Sequence, residues 1–163
     1  MDAAARSRLL ARYRSIAILT VVLGPVLVLL AIANVVMIRV LYWLLELQGT
    51  STLPFGELTG ASLAFGEASS LILGPLGAVL TWAGILAVRT TPAESRAGLV
   101  GSAWITVAAM LLLSGLWEVE AFRYHMDLGF HAGGVILHLL QALVVLQAIR
   151  FLNGAPLREA IAS

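Results

Sequence analysis

Four stretches of this chain run without a charged residue for about the length that a lipid bilayer demands. They are residues 15–38, 68–88, 97–117 and 132–149. A helix crosses a hydrocarbon core about 30 Å thick with roughly 20 apolar residues. The fourth run reaches that length by extending past His131 through Phe130 and Gly129. Between the runs, residues 49–60, 89–96 and 118–128 carry prolines, hydroxyls or charges that a span avoids. Composition agrees: 60% of the 163 residues are hydrophobic and 12% charged, against about 25% charged in an ordinary soluble domain. A water-soluble globule, a disordered chain and a coiled coil all need more polar surface than this.

The sequence therefore predicts an all-α integral membrane protein, a four-transmembrane-helix bundle. Its helices are expected at about residues 15–38 (or to 47), 63–88, 97–118 and 129–150. The transmembrane domain takes residues 15–152, preceded by a short basic N-terminal cytoplasmic helix within 1–14 and followed by a cytoplasmic tail, 153–163. The first run is too long for the apolar core of a secretory signal and no small-residue cleavage site follows it, so it reads as a span.

The arginines set the expected orientation. Threading the four runs puts Arg6, Arg8, Arg12, Arg14, Arg89, Arg96, Arg150 and Arg158 at one end, and Arg39 and Arg123 at the other. Cytoplasmic segments are enriched in positive charge, so both termini are expected in the cytoplasm and the chain in the cell membrane. Acidic residues are biased the other way, giving the two ends net charges of +5 and −4. Trp43 and Trp117 fall near the acidic end, and Trp82 and Trp104 toward the basic end, as an interfacial aromatic belt requires.

Lipid tails are as apolar as leucine, so helices in a bilayer associate largely by close approach of small residues. Gly66, Ser70, Gly74, Gly77, Thr81 and Gly84 recur at steps of three and four along the second span, forming one packing stripe. Gly101, Ala108 and Gly115 on the third span, and Ala17, Gly24 and Ala31 on the first, repeat the device at seven-residue intervals. The second span is expected at the centre of the bundle.

Polar chemistry is sparse, and so informative, because ionisable groups inside a bilayer are costly. Asp127, His131, Gly134, His138, Gln141 and Val145 follow a three–four spacing that places them on one face of the fourth span. Asn34, Glu67, Glu118, His131 and His138 all fall in the acidic half of the bilayer, which predicts a polar cluster there. Three uses follow from these residue types. His131, His138 and Gln141 are candidate binding residues for a quinone or haem b. The two histidines stand about 10 Å apart on one helix, too far to grip one iron from both faces. Glu118, Asp127 and His131 are candidate metal ligands, with Asp127 and His131 one helical turn apart. Glu67 and His138 are candidates for a proton path, which the nearly featureless inner half does not continue.

The chain has no cysteine and no lysine. That removes thiolate metal sites, disulfides and Schiff-base chemistry. No metalloprotease, serine-hydrolase or phosphate-loop motif is present, and no basic–aromatic surface for nucleic acid. In size and layout the chain resembles the small membrane subunits of tripartite periplasmic transporters, and is similar to the membrane anchors of quinone-linked oxidoreductases. The expected function is a non-catalytic integral membrane subunit, accessory or anchor, of a larger membrane complex. Its expected partners are membrane lipid and other membrane subunits or a second copy of itself. The alternatives are a quinone- or haem-b-binding anchor, an outer-face metal site, or a small transporter subunit.

Overall fold

The computed structural model describes residues 2–47, 56–126 and 128–162, and the side chains of all of these except 45, 46, 56–62 and 130. The described residues form α1 (Ala3–Leu47), α2 (Gly56–Arg89), α3 (Pro92–Arg123), α4 (Leu128–Asn153) and α5 (Ala155–Ala162), with no strand among them. The first four are long and apolar enough to cross a membrane. Helix is what the sequence must adopt there, because a backbone in hydrocarbon can hydrogen-bond only to itself. Pro25 and Pro75 lie inside α1 and α2.

The helices overrun their apolar runs. At 1.5 Å per residue, the 45 residues of α1 extend about 68 Å, twice the thickness of a bilayer core. The basic N-terminal segment is thus not a separate helix but the first turns of α1, and residues 39–47 continue the same helix. Within residues 153–163, expected as a tail, Ala155–Ala162 form α5. Its Leu157 and Ala160 are buried, Leu157 in one cluster with Tyr13, Leu99 and Leu152. The Arg6 Nε donates to the Ala160 carbonyl at 3.0 Å. Ser95 Oγ donates to the Thr91 carbonyl, so Tyr13 Oη donates to Ser95 at 2.8 Å. These bonds give α1 a reason to continue beyond the apolar layer: it has a second, smaller core to join.

Order in the bundle follows from the contacts. α1 packs on α2, α2 on α3 and α3 on α4, each pair antiparallel. α2 and α3 therefore share the central place that the sequence reading gives to α2 alone. α1 and α4 meet at the arginine-rich end, where Arg12 lies 4.5 Å over the Phe151 ring and α5 touches both helices. Above that tie the described residues of α1 and α4 share no substantial interface. The four helices form an open arc, not a closed bundle.

The small-residue stripe of α2 faces α1. Gly66, Gly74, Gly77 and Gly84 lie against Ile38, Ala31, Gly24 and Val21 respectively, and Thr81 against Gly24. Helix backbones approach this closely only where Cβ atoms are missing. The similar series on α3 does something else: Gly101, Ala108 and Gly115 are exposed, and nothing lies near either glycine. Equal spacing marks a face, not a neighbour.

α3 ends with Met126 N–H on the Ala121 carbonyl and His125 N–H on the Phe122 carbonyl. This is the Schellman pattern, in which the residue after the cap takes a left-handed conformation usually given to glycine. Here it is His125, at φ 50°. A Cβ in that conformation costs energy that glycine avoids. His125→Gly is expected to raise stability by about 0.5–1 kcal/mol, visible as a higher midpoint of thermal unfolding in detergent. A fall in the midpoint would mean that the imidazole supports the turn.

Candidate functional site

The inward face of α4 looks across the arc. His131 is half-buried, Gly134 and His138 are buried, and Gln141 and Val145 follow on the same line. The order of the helices turns this face toward a cleft of about 630 Å³ bounded by all four long helices. Leu23, Leu27, Leu30 and Asn34 form its α1 wall, and His138, Gln141, Val144 and Val145 its α4 wall. α2 contributes Phe65 and Ser69, and α3 contributes Thr106 and Met110. Leu23, Leu30, Gln141 and Val144 line the space and are nevertheless exposed. The cleft thus opens sideways, between α1 and α4, at the level where a bilayer's hydrocarbon would lie.

The walls are mostly aliphatic, with a few polar groups. Two of these are engaged within their own helices: Ser69 Oγ donates to the Gly66 carbonyl and Thr106 Oγ1 to the Ser102 carbonyl. Their oxygens keep the capacity to accept. His138 differs. The residue is 8% exposed and its Nδ1 is buried with no hydrogen-bond partner. Burying a polar atom unpaired costs about 1–3 kcal/mol, so native chains rarely leave one without a reason. Phe65 fixes the ring: it lies 5.9 Å from the imidazole and edge-on to Trp117 at 5.0 Å. Trp117 in turn rests on Gly134, where even a Cβ would enter the indole.

Nearer the acidic end, His131 Nδ1 and Glu118 Oε2 are 2.8 Å apart, joining α3 to α4. Asn34 and His138 share the cleft, and Glu118 and His131 share a bond. The residues expected as one polar cluster therefore fall into two constellations. Glu67, the fifth, is exposed on α2. Of the expected quinone or haem residues, His138 and Gln141 line the cleft, while His131 is engaged by Glu118. Of the expected metal ligands, Glu118 and His131 are together and Asp127 lies outside the described residues. Among the described residues no three His, Asp or Glu side chains gather as a metal site would require.

Comparison with protein-family models, curated proteins and solved structures finds no match to this chain.

Sequence spacing finds the α4 face but misses Phe65, Ser69 and Trp117. Phe65 had a signal of its own, standing one residue before the small-residue stripe. Trp117 had none, because an aromatic near a helix end reads as an interfacial anchor whether or not it lies over a glycine.

Proposed function

We propose that this chain is a non-catalytic integral membrane subunit that holds a lipid-soluble ligand of the quinone class in the cleft between α1 and α4. The carrying observation is the buried, partnerless Nδ1 of His138 at the wall of a mostly aliphatic cleft. An apolar hollow of about 300–1,000 Å³ with a few placed polar groups is the common form of a small-molecule site. The sideways opening favours a ligand that arrives through the bilayer. A quinone presents carbonyl oxygens that accept hydrogen bonds, and a quinol presents hydroxyls that donate. Neutral imidazole meets either, since its tautomer decides whether Nδ1 donates or accepts. Asn34 and Gln141 supply further amide donors and acceptors on opposite walls. With eight arginines at one end against two at the other, the orientation we propose has both termini in the cytoplasm, and the cell membrane as the site of residence.

The exposed leucines and valine on both lips of the cleft favour a second reading, in which a helix of a larger assembly closes the arc and the chain is an accessory subunit. Binding separates the two. The purified chain in lipid nanodiscs is titrated with a short-chain benzoquinone and bound ligand is measured by equilibrium dialysis. Saturable binding at one site per chain is expected. Absence of saturable binding, with a co-isolated membrane protein that crosslinks to positions 23 and 144, would overturn the quinone reading in favour of the accessory one. A haem band in the reduced-minus-oxidised spectrum of the same sample would replace quinone by haem b, with His138 as one axial ligand and the other from a second chain.

A further inference from the structure

A second site lies on the opposite side of α1, along its seam with α2. Toward the arginine-rich end, Ile18, Val21, Val22, Ile85 and Val88 line an apolar trough of about 240 Å³, with Arg89 at its edge. An adjoining hollow of about 270 Å³ shares Ile18 and Val88 with it and contains Arg14. The register of the seam sets the two arginines side by side. Gly24 faces Thr81 and Val21 faces Gly84. Carried on antiparallel for two to three turns, that register puts Arg14 and Arg89 within about 3 Å of the same height. Each is the first charge beyond an apolar run, so both stand where hydrocarbon gives way to headgroups.

Four of the six other arginines at this end are already engaged, and Arg8 and Arg150 are exposed away from the trough. Arg6 donates to the Ala160 carbonyl, Arg96 to the Leu152 carbonyl and Arg158 to the Asn153 carbonyl, while Arg12 lies over Phe151. Two of the three acids there bond backbone N–H groups, Asp2 that of Ala4 and Glu94 that of Thr91. Among the described residues no hydrogen bond or ion pair engages Arg14 or Arg89, and the only ion pairs lie at the acidic end. Two exposed guanidinium groups at one height therefore lack a counter-charge, beside a trough lined by aliphatic side chains. We infer that this seam is a binding site for an anionic phospholipid, its phosphate between Arg14 and Arg89 and one chain against Ile18, Val22 and Val88. Guanidinium pairs phosphate with two parallel hydrogen bonds, a geometry a zwitterionic headgroup offers with less net charge.

Native mass spectrometry of the purified chain, released from micelles holding equal amounts of phosphatidylglycerol and phosphatidylcholine with identical chains, tests the site. Each arginine near a membrane surface favours anionic lipid about fivefold, so the pair is expected to give about 25-fold preference for the anionic lipid. Arg14→Gln with Arg89→Gln should bring the preference close to parity. Arg8→Gln with Arg150→Gln removes the same charge from exposed positions elsewhere at that end, and should keep it. Equal loss in both double variants, or no preference in the wild type, would overturn the proposal. Inorganic phosphate at millimolar concentration should leave the lipid bound; if it displaces the lipid, the arginines form a phosphate site and the trough plays no part. Val88→Trp, which fills the trough and leaves both arginines, should reduce lipid retention, and unchanged retention would count against the seam.

Discussion

Gly77→Leu is expected to prevent α1 and α2 from assembling. A Cβ at position 77 would stand 2.5 Å from the Gly24 carbonyl oxygen and 2.9 Å from the Val28 backbone nitrogen. Neither atom can move without carrying α1 with it, so no change of rotamer relieves the clash. Overfilling a packed interior costs about 1–3 kcal/mol when side chains can adjust; against backbone the loss should reach about 3 kcal/mol or more. Gly84→Leu should behave alike, since its Cβ would lie 2.6 Å from the Val21 nitrogen. The comparison is with Gly101→Leu and Gly115→Leu, where an added Cβ meets nothing within 4 Å. Size-exclusion profiles and thermal unfolding in detergent read the difference. The seam variants should aggregate or unfold early, and the α3 variants should match the wild type. If all four behave alike, the α1–α2 seam is not where the fold is held.

His138→Leu should divide binding from stability. Leucine is close in volume, fits the aliphatic wall and removes a buried nitrogen that has no hydrogen-bond partner. Stability in the absence of ligand should stay level or rise by about 1 kcal/mol, because replacing an unsatisfied polar group with an apolar one is neutral or favourable. Affinity for the short-chain benzoquinone should fall about 10- to 100-fold, the worth of one desolvated hydrogen bond to a neutral partner. Loss of both stability and binding would mean that the imidazole supports the fold, and unchanged affinity would remove His138 from the site. Thr106→Val makes a useful contrast, since the Thr106 hydroxyl is already engaged by the Ser102 carbonyl and should cost the ligand little.

The sequence announces its four helices because charge-free runs of bilayer length have few other uses. Their ends are less legible. An apolar run measures the hydrocarbon layer, whereas a helix stops where its capping groups say so. Thus α3 begins at the Thr91–Pro92 step, with Glu94 bonding the Thr91 N–H, and α1 continues to the small core around Tyr13. α5 was readable in principle from Leu157, Ala160 and Ile161 at three- and four-residue steps, but eight residues carry little signal. The α4 face was legible because its polar members are rare; the division between Glu118–His131 and the His138 cleft was not. That division depends on which residues of α3 and α2 stand opposite, and register between helices leaves no mark on spacing within one. Glu67 shows the same limit, since depth along a helix says nothing about the direction around it.

The tie made by α5 and Arg12 gives the arc unequal stiffness along its length. Among the described residues, the first and last long helices are joined where Leu157 and Ala160 are buried and Arg12 covers Phe151. The pair therefore acts as tongs with the pivot at one tip: a small angular fluctuation displaces the free tips most and the pivot hardly at all. Traffic into the hollow should then be governed by how firmly that pivot is clamped, so a change at Arg6 or Leu157, far from His138, would alter the speed of entry and escape before it altered the strength of holding.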